Sequence, residues 1–183
     1  MRLIFCWILA VAAFAQSTPP AGLEPSWDVA VILEQIGKDT ARLLPVLDQV
    51  NASDWTARGA SEAYVAQWQS SKDQARAVTA EAIALAKNPE KLSSGLRLFF
   101  RLEGLETMLA SIEEGARKYQ TARVAQSLVS TFAESGANRE RFRNYLVNLA
   151  AEREHQFEVM DQEAQRCRAI LMATPPKSTV RKK

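Results

Sequence analysis

The stretch NPEKLSSGLRLFFRLEGLETMLASIEEGARKY, residues 88–119, decides the fold. It opens on Asn88-Pro89, a helix-restart signal: asparagine caps, and proline fits the first turn, where its missing N–H costs nothing. Leu98, Leu102, Leu105, Leu109, Ile112, Ala116 and Tyr119 then recur at spacings of three and four, with Phe99 and Phe100 adding bulk on either side. That spacing lines up along one edge of a helix and on no face of a strand. The result is a long amphipathic rod, about 40 Å at 1.5 Å per residue, that needs neighbours to cover its apolar edge.

The neighbours lie on both sides in the sequence. Upstream, a helix is predicted over 62–87 with Ser61 as its cap; its apolar edge is Tyr64, Trp68, Ser71, Ala75, Val78, Ala82 and Leu85. The middle of that edge is small, so another helix can approach closely there. Before it runs the connection NASDWTARGA, residues 51–60, whose Trp55 is expected to lid the end of a bundle rather than hold a ligand. A first helix is predicted from Trp27 to Val50, with Ser26 as cap and Asp28 at the positive end of its dipole. Val29, Leu33, Ile36, Thr40, Leu43, Leu47 and Val50 form its edge, and Pro45, off that edge, should kink it near its end.

Downstream, the last helical region covers about 122–172, roughly 75 Å as one straight rod. The segment ESGAN, residues 134–138, offers a break, with Asn138 able to cap a new helix, yet Ala125, Leu128, Phe132, Ser135, Arg139, Phe142, Leu146 and Leu149 stay in step across it. A kink or short break at Gly136 is expected; a continuous helix projecting beyond the bundle is the alternative. Short connections between long amphipathic helices make antiparallel neighbours. The expected fold is therefore all-α: an up-and-down antiparallel bundle of four long helices over 26–173, the last kinked or split near Gly136. The Pro-rich lead-in 16–25 and the basic end 174–183 have too little apolar surface to offset their ordering entropy.

The front of the chain reads as an export signal. MRLIFCWILAVAAFAQ carries one basic residue, Arg2, then an apolar run from Leu3 to Phe14, then Ala13-Phe14-Ala15 as a cleavage site before Gln16. The run is about a dozen residues, whereas a membrane-spanning helix needs roughly 20; an uncleaved anchor is the other reading. No later stretch is long and apolar enough to span. Taking Arg2 and the four basic residues of the last seven positions (Lys177, Arg181, Lys182, Lys183) from the chain's 23 leaves 18 basic against 21 acidic. A nearly neutral body does not suit a nucleic-acid surface, so no nucleic-acid partner is expected.

NLAAEREHQFEVMDQEAQRCR, residues 148–168, holds the only histidine, His155, and the cysteine that outlasts signal removal, Cys167. Continued past Leu149, the apolar edge runs through Arg153, Gln156, Met160, Glu163, Cys167 and Ile170, widened by Ala150, Phe157, Ala164 and Leu171. Cys167 is thus expected to be buried as a small apolar residue, with an intermolecular disulfide as the alternative. His155 falls about 150° from the centre of that edge and should face water. Glu152 and His155 make the Glu-x-x-His spacing of di-iron bundles, for which Glu34, Glu81, Glu103 and Glu106 could supply carboxylates. The motif occurs once, and its histidine is turned outward. It is the weak candidate for a metal or haem site, and no cofactor is expected.

Arg153, Gln156 and Glu163 interrupt the apolar edge. Long side chains reaching water from half-buried stems explain them most simply. Cover by another chain is the second reading, and it makes these three the candidate partner surface. Other chemistries fail on inventory. One histidine supports no multi-histidine zinc site. There is no glycine-rich nucleophile turn, phosphate loop or dinucleotide fingerprint. Acidic pairs such as Glu113-Glu114 read as wet helical surface. No catalytic residue is assigned, and the sequence reads as an exported binding or structural module, with an unknown protein or a second copy as partner.

Overall fold

The computed structural model describes residues 24–173. The proposed signal peptide with Cys6, the lead-in as far as residue 23 and the basic end lie outside them. The described residues form seven helices and no strand: α1 (Ser26–Ala41), α2 (Leu43–Leu47), α3 (Ala52–Thr56), α4 (Ala63–Ala86), α5 (Leu92–Tyr119), α6 (Ala122–Ala133) and α7 (Gly136–Ala173). α1 packs on α4, α4 on α5 and α5 on α6, while α7 packs against α1 and α5.

The apolar edges meet in one core. Every predicted edge residue of the first helix, from Val29 to Val50, is buried. So are Ser71, Ala75, Val78, Ala82 and Leu85 of α4, and Leu98 through Ala116 of α5. The small middle of α4 is where α1 comes close: a methyl on Gly37 would stand 3.4 Å from the Thr79 carbonyl oxygen and 3.6 Å from the Ala82 Cβ.

The first predicted helix is two. α1 ends at Ala41 and α2 begins at Leu43, because Pro45 has no N–H for the Ala41 carbonyl and its ring crowds that oxygen. The step falls at Arg42, whose N–H is shared between the carbonyls of Lys38 (3.3 Å) and Asp39 (3.2 Å). Ser26 does not cap α1; it is the first helical residue, and the Pro25 carbonyl accepts from Asp28 and Val29 instead. After Asn88-Pro89 a turn intervenes, and α5 starts at Leu92.

The last region breaks just before Gly136. α6 ends at Ala133 and α7 opens on Gly136, with Ser135 buried between them and its hydroxyl donating to the Phe132 carbonyl at 3.0 Å. Arg139 sits over the Phe132 ring, 3.9 Å from its centroid, and pairs with Glu106 on α5 at 2.8 Å, which accommodates a charge on the apolar edge. The two breaks lie side by side: Arg42 at one pairs with Glu134 at the other, 2.8 Å apart.

Trp55, on α3, closes one end. Its ring stacks on Tyr119 (6.3 Å) and meets Tyr64 edge-on (5.6 Å). Gln120 joins the surrounding turns, accepting from the Trp55 indole (3.3 Å) and the Asn51 N–H (3.0 Å) while donating to the Gln49 carbonyl (2.7 Å).

Candidate functional site

α7 outruns the body that anchors it. Phe142, Tyr145, Leu146 and Leu149 are its buried residues, and every residue from 151 to 173 is exposed. That is an arm of about 35 Å at 1.5 Å per residue. The reason is length: α1, α4 and α5 have 16, 24 and 28 residues, against 38 in α7.

This corrects the sequence reading beyond Leu149. The apolar spacing points Met160, Glu163, Cys167 and Ile170 into a bundle, but among the described residues no helix lies opposite Met160, Glu163 and Cys167, and Cys167 is exposed rather than packed as a small apolar residue. Gln156 and Glu163 are exposed, while the Arg153 side chain, 43 % exposed, is partly covered where it lines the elbow with Leu92.

The arm nevertheless keeps an apolar edge. Ala150, Arg153, Phe157, Met160, Ala164, Cys167 and Leu171 follow one another at alternating spacings of three and four. At about 100° per residue this row lies roughly 40° from the row that α7 buries in the body. The body-facing edge therefore continues into open space, with Phe157 74 %, Met160 68 % and Leu171 75 % exposed.

Polar contacts brace the arm at its root. The Gln156 amide donates to Glu152 at 2.7 Å, Arg153 donates to the Gln156 side-chain Oε1 at 2.9 Å, and Arg153 also reaches Glu90, in the α4–α5 connection, at 3.3 Å. Arg153 and Gln156 thus come together, while Glu163 lies further out and pairs with Arg166 at 2.7 Å. In the elbow between arm and body is a shallow cleft lined by Leu92, Ala150, Arg153, Glu154, Phe157 and Glu158. Tyr145 lies near this root, its buried hydroxyl without a hydrogen-bond partner among the described residues. Burial pushes its phenol pKa up, the Glu90 carboxylate adds to the rise, and Arg153 opposes it.

Glu152 and His155 are both exposed on the arm, and Glu152 is engaged by Gln156. The carboxylates considered as their partners are elsewhere: Glu34 pairs with Lys38 at 3.8 Å, Glu81 with Arg101 at 2.9 Å and Glu106 with Arg139 at 2.8 Å, while Glu103 lies exposed on α5. Glu113 pairs with Arg117. Among the described residues no three His, Cys, Asp or Glu side chains gather as a metal site. What the arm offers is contact area: an apolar row, flanked by acids and bases, with a concave seat at its root.

The chain matches no protein-family model, no curated protein and no solved structure. The elbow cleft was missed in the sequence, and a last helix projecting beyond the bundle is only the alternative there. Two signals pointed to them: the excess length of the last region, and the thinning of the apolar edge to single residues among charges after Leu149.

Proposed function

We propose that the chain is an exported protein-binding or structural module, an up-and-down antiparallel bundle of four long helical segments that holds out its last helix as a docking arm. One observation carries this reading: an apolar row on a helix exposed along its whole length past the body. A helix of this length is marginal in water without packing, so a partner that covers the row also stabilises the arm. Amphipathic helices dock into apolar grooves or against other helices through such rows. Export rests on the layout of residues 1–16. None of the described helices is long and apolar enough to cross a membrane, and the near-neutral body disfavours nucleic acid.

A photo-crosslinking side chain placed at Met160, on the row, should give a discrete adduct in the exporting cell, whereas one at His155, on the opposite side, should not. Equal yields at both, or none at either, would count against docking through this edge. N-terminal sequencing of the exported protein should begin at Gln16; recovery of the whole chain with Met1 intact, inside the cell only, would refute export.

A further inference from the structure

We propose that the partner on the arm's apolar edge is a second copy of this chain, its own arm running antiparallel to the first; this rests on the docking reading above and names the occupant.

The geometry selects the direction. The row on the arm lies on the same side of α7 as Phe142, Tyr145, Leu146 and Leu149, which the body covers. A parallel partner laid along the row would run, below Ala150, into the space that α1 and α5 already fill. An antiparallel partner avoids this. Its tip comes down toward the elbow, and its body lies beyond the tip of the first arm.

The side chains fit that arrangement about a two-fold axis level with Gln162. Pairing the two rows in heptad layers sets Phe157 against Cys167 of the second copy, Met160 against Ala164, and Arg153 against Leu171. Each bulky apolar side chain of the central layers then meets a small one, so the helices can close without voids. Leu171 of the second copy arrives over the elbow cleft, between Ala150 and Phe157. On one flank Glu154 comes beside Arg168 of the second copy, and symmetry makes this pair twice. Near the axis Glu163 approaches its own copy with its charge already countered by Arg166, 2.7 Å away. Asp161 beside its own copy is left as the like-charged contact. Cys167 and its copy stand about 15 Å apart along the axis, too far for a disulfide.

Sedimentation equilibrium of the purified protein tests this, with nonreducing gels alongside. The wild type should dimerise reversibly without a Cys167 crosslink. Met160→Glu should be monomeric, with the thermal melting of its body unchanged. Glu154→Arg should weaken dimerisation at least tenfold, and Glu154→Arg combined with Arg168→Glu should restore it. Asp161→Asn should tighten it. A wild type that stays monomeric to about 100 μM would overturn self-pairing. If the Met160 crosslinker still captured a different protein, docking through the arm would stand and only the occupant would be wrong; if it captured nothing, both would fall. A dimer that forms a Cys167 disulfide, or that ignores both Met160→Glu and the Glu154–Arg168 exchange, would overturn the antiparallel register.

Discussion

Gly115 is the position where a single methyl would be felt most. A Cβ there would stand 2.5 Å from Cζ3 of Trp55 and 2.9 Å from Cε1 of Tyr64, rings locked against each other and Tyr119. Gly115→Ala should therefore cost about 1–3 kcal/mol, read as a lower urea midpoint with unchanged slope. Gly95→Ala is the matched control. Its methyl meets the Leu146 Cδ2 atom at 2.5 Å, the end of a side chain that can turn, and alanine gains about 1 kcal/mol of helix propensity. Its stability should change little, and equal losses at the two sites would show that the Trp55 closure is slack. Tyr145 sets a pH dependence. With its pKa raised above 10.0 by burial, the folded chain holds the phenolic proton longer than the unfolded chain does. Stability should fall as pH rises through the ordinary phenol range, and Tyr145→Phe should flatten that fall; an identical alkaline slope in the variant would refute the assignment. At this scale the sequence was informative about which residues are apolar and inward, as with Trp55, and silent about clearance. A glycine inside a helical run reads as a small cost in propensity, and nothing in the string says that two rings lie against Gly115.

At the scale of the element, the contrast is between the two halves of α7. Phe142 is fully buried and Phe157 is 74 % exposed, though both lie on the same edge of one helix. Phe142→Ala should destabilise by about 3–5 kcal/mol, while Phe157→Ala in the monomer should stay within about 0.5 kcal/mol of wild type. Comparable losses in chemical denaturation would mean that the arm folds back onto the body. The edges of α1, α2, α4, α5 and α6 were legible because hydrophobic spacing reports direction around a helix axis. The arm was misread for the same reason: spacing says which way a side chain points but not whether anything stands there. The breaks were legible to within a few residues, since proline at 45 and glycine at 136 act through local backbone chemistry. The side-chain cap of α6, where Thr121 accepts from the Val124 N–H at 3.4 Å, went unnoticed because capping residues are common in loops.

For the whole molecule, the division into a covered body and an uncovered arm should appear in hydrogen exchange. Amides on the buried edges of α1, α4 and α5 should be the slowest to exchange, while those of 151–173 should be fast in dilute solution and slow as the protein is concentrated. Arm protection that does not vary with concentration would argue against reversible pairing. The all-helical class was legible in the sequence at this scale, but the reach of the last helix was not, because it depends on where the other helices stop. The arm also has a mechanical side. It is clamped at its base by four buried residues between Phe142 and Leu149 and braced just beyond them by Arg153 on Glu90. A tilt of ~10° at that clamp sweeps the far end through ~6 Å. Small repacking at Leu149 would therefore act as a lever, re-aiming a distant tip without altering one atom of it.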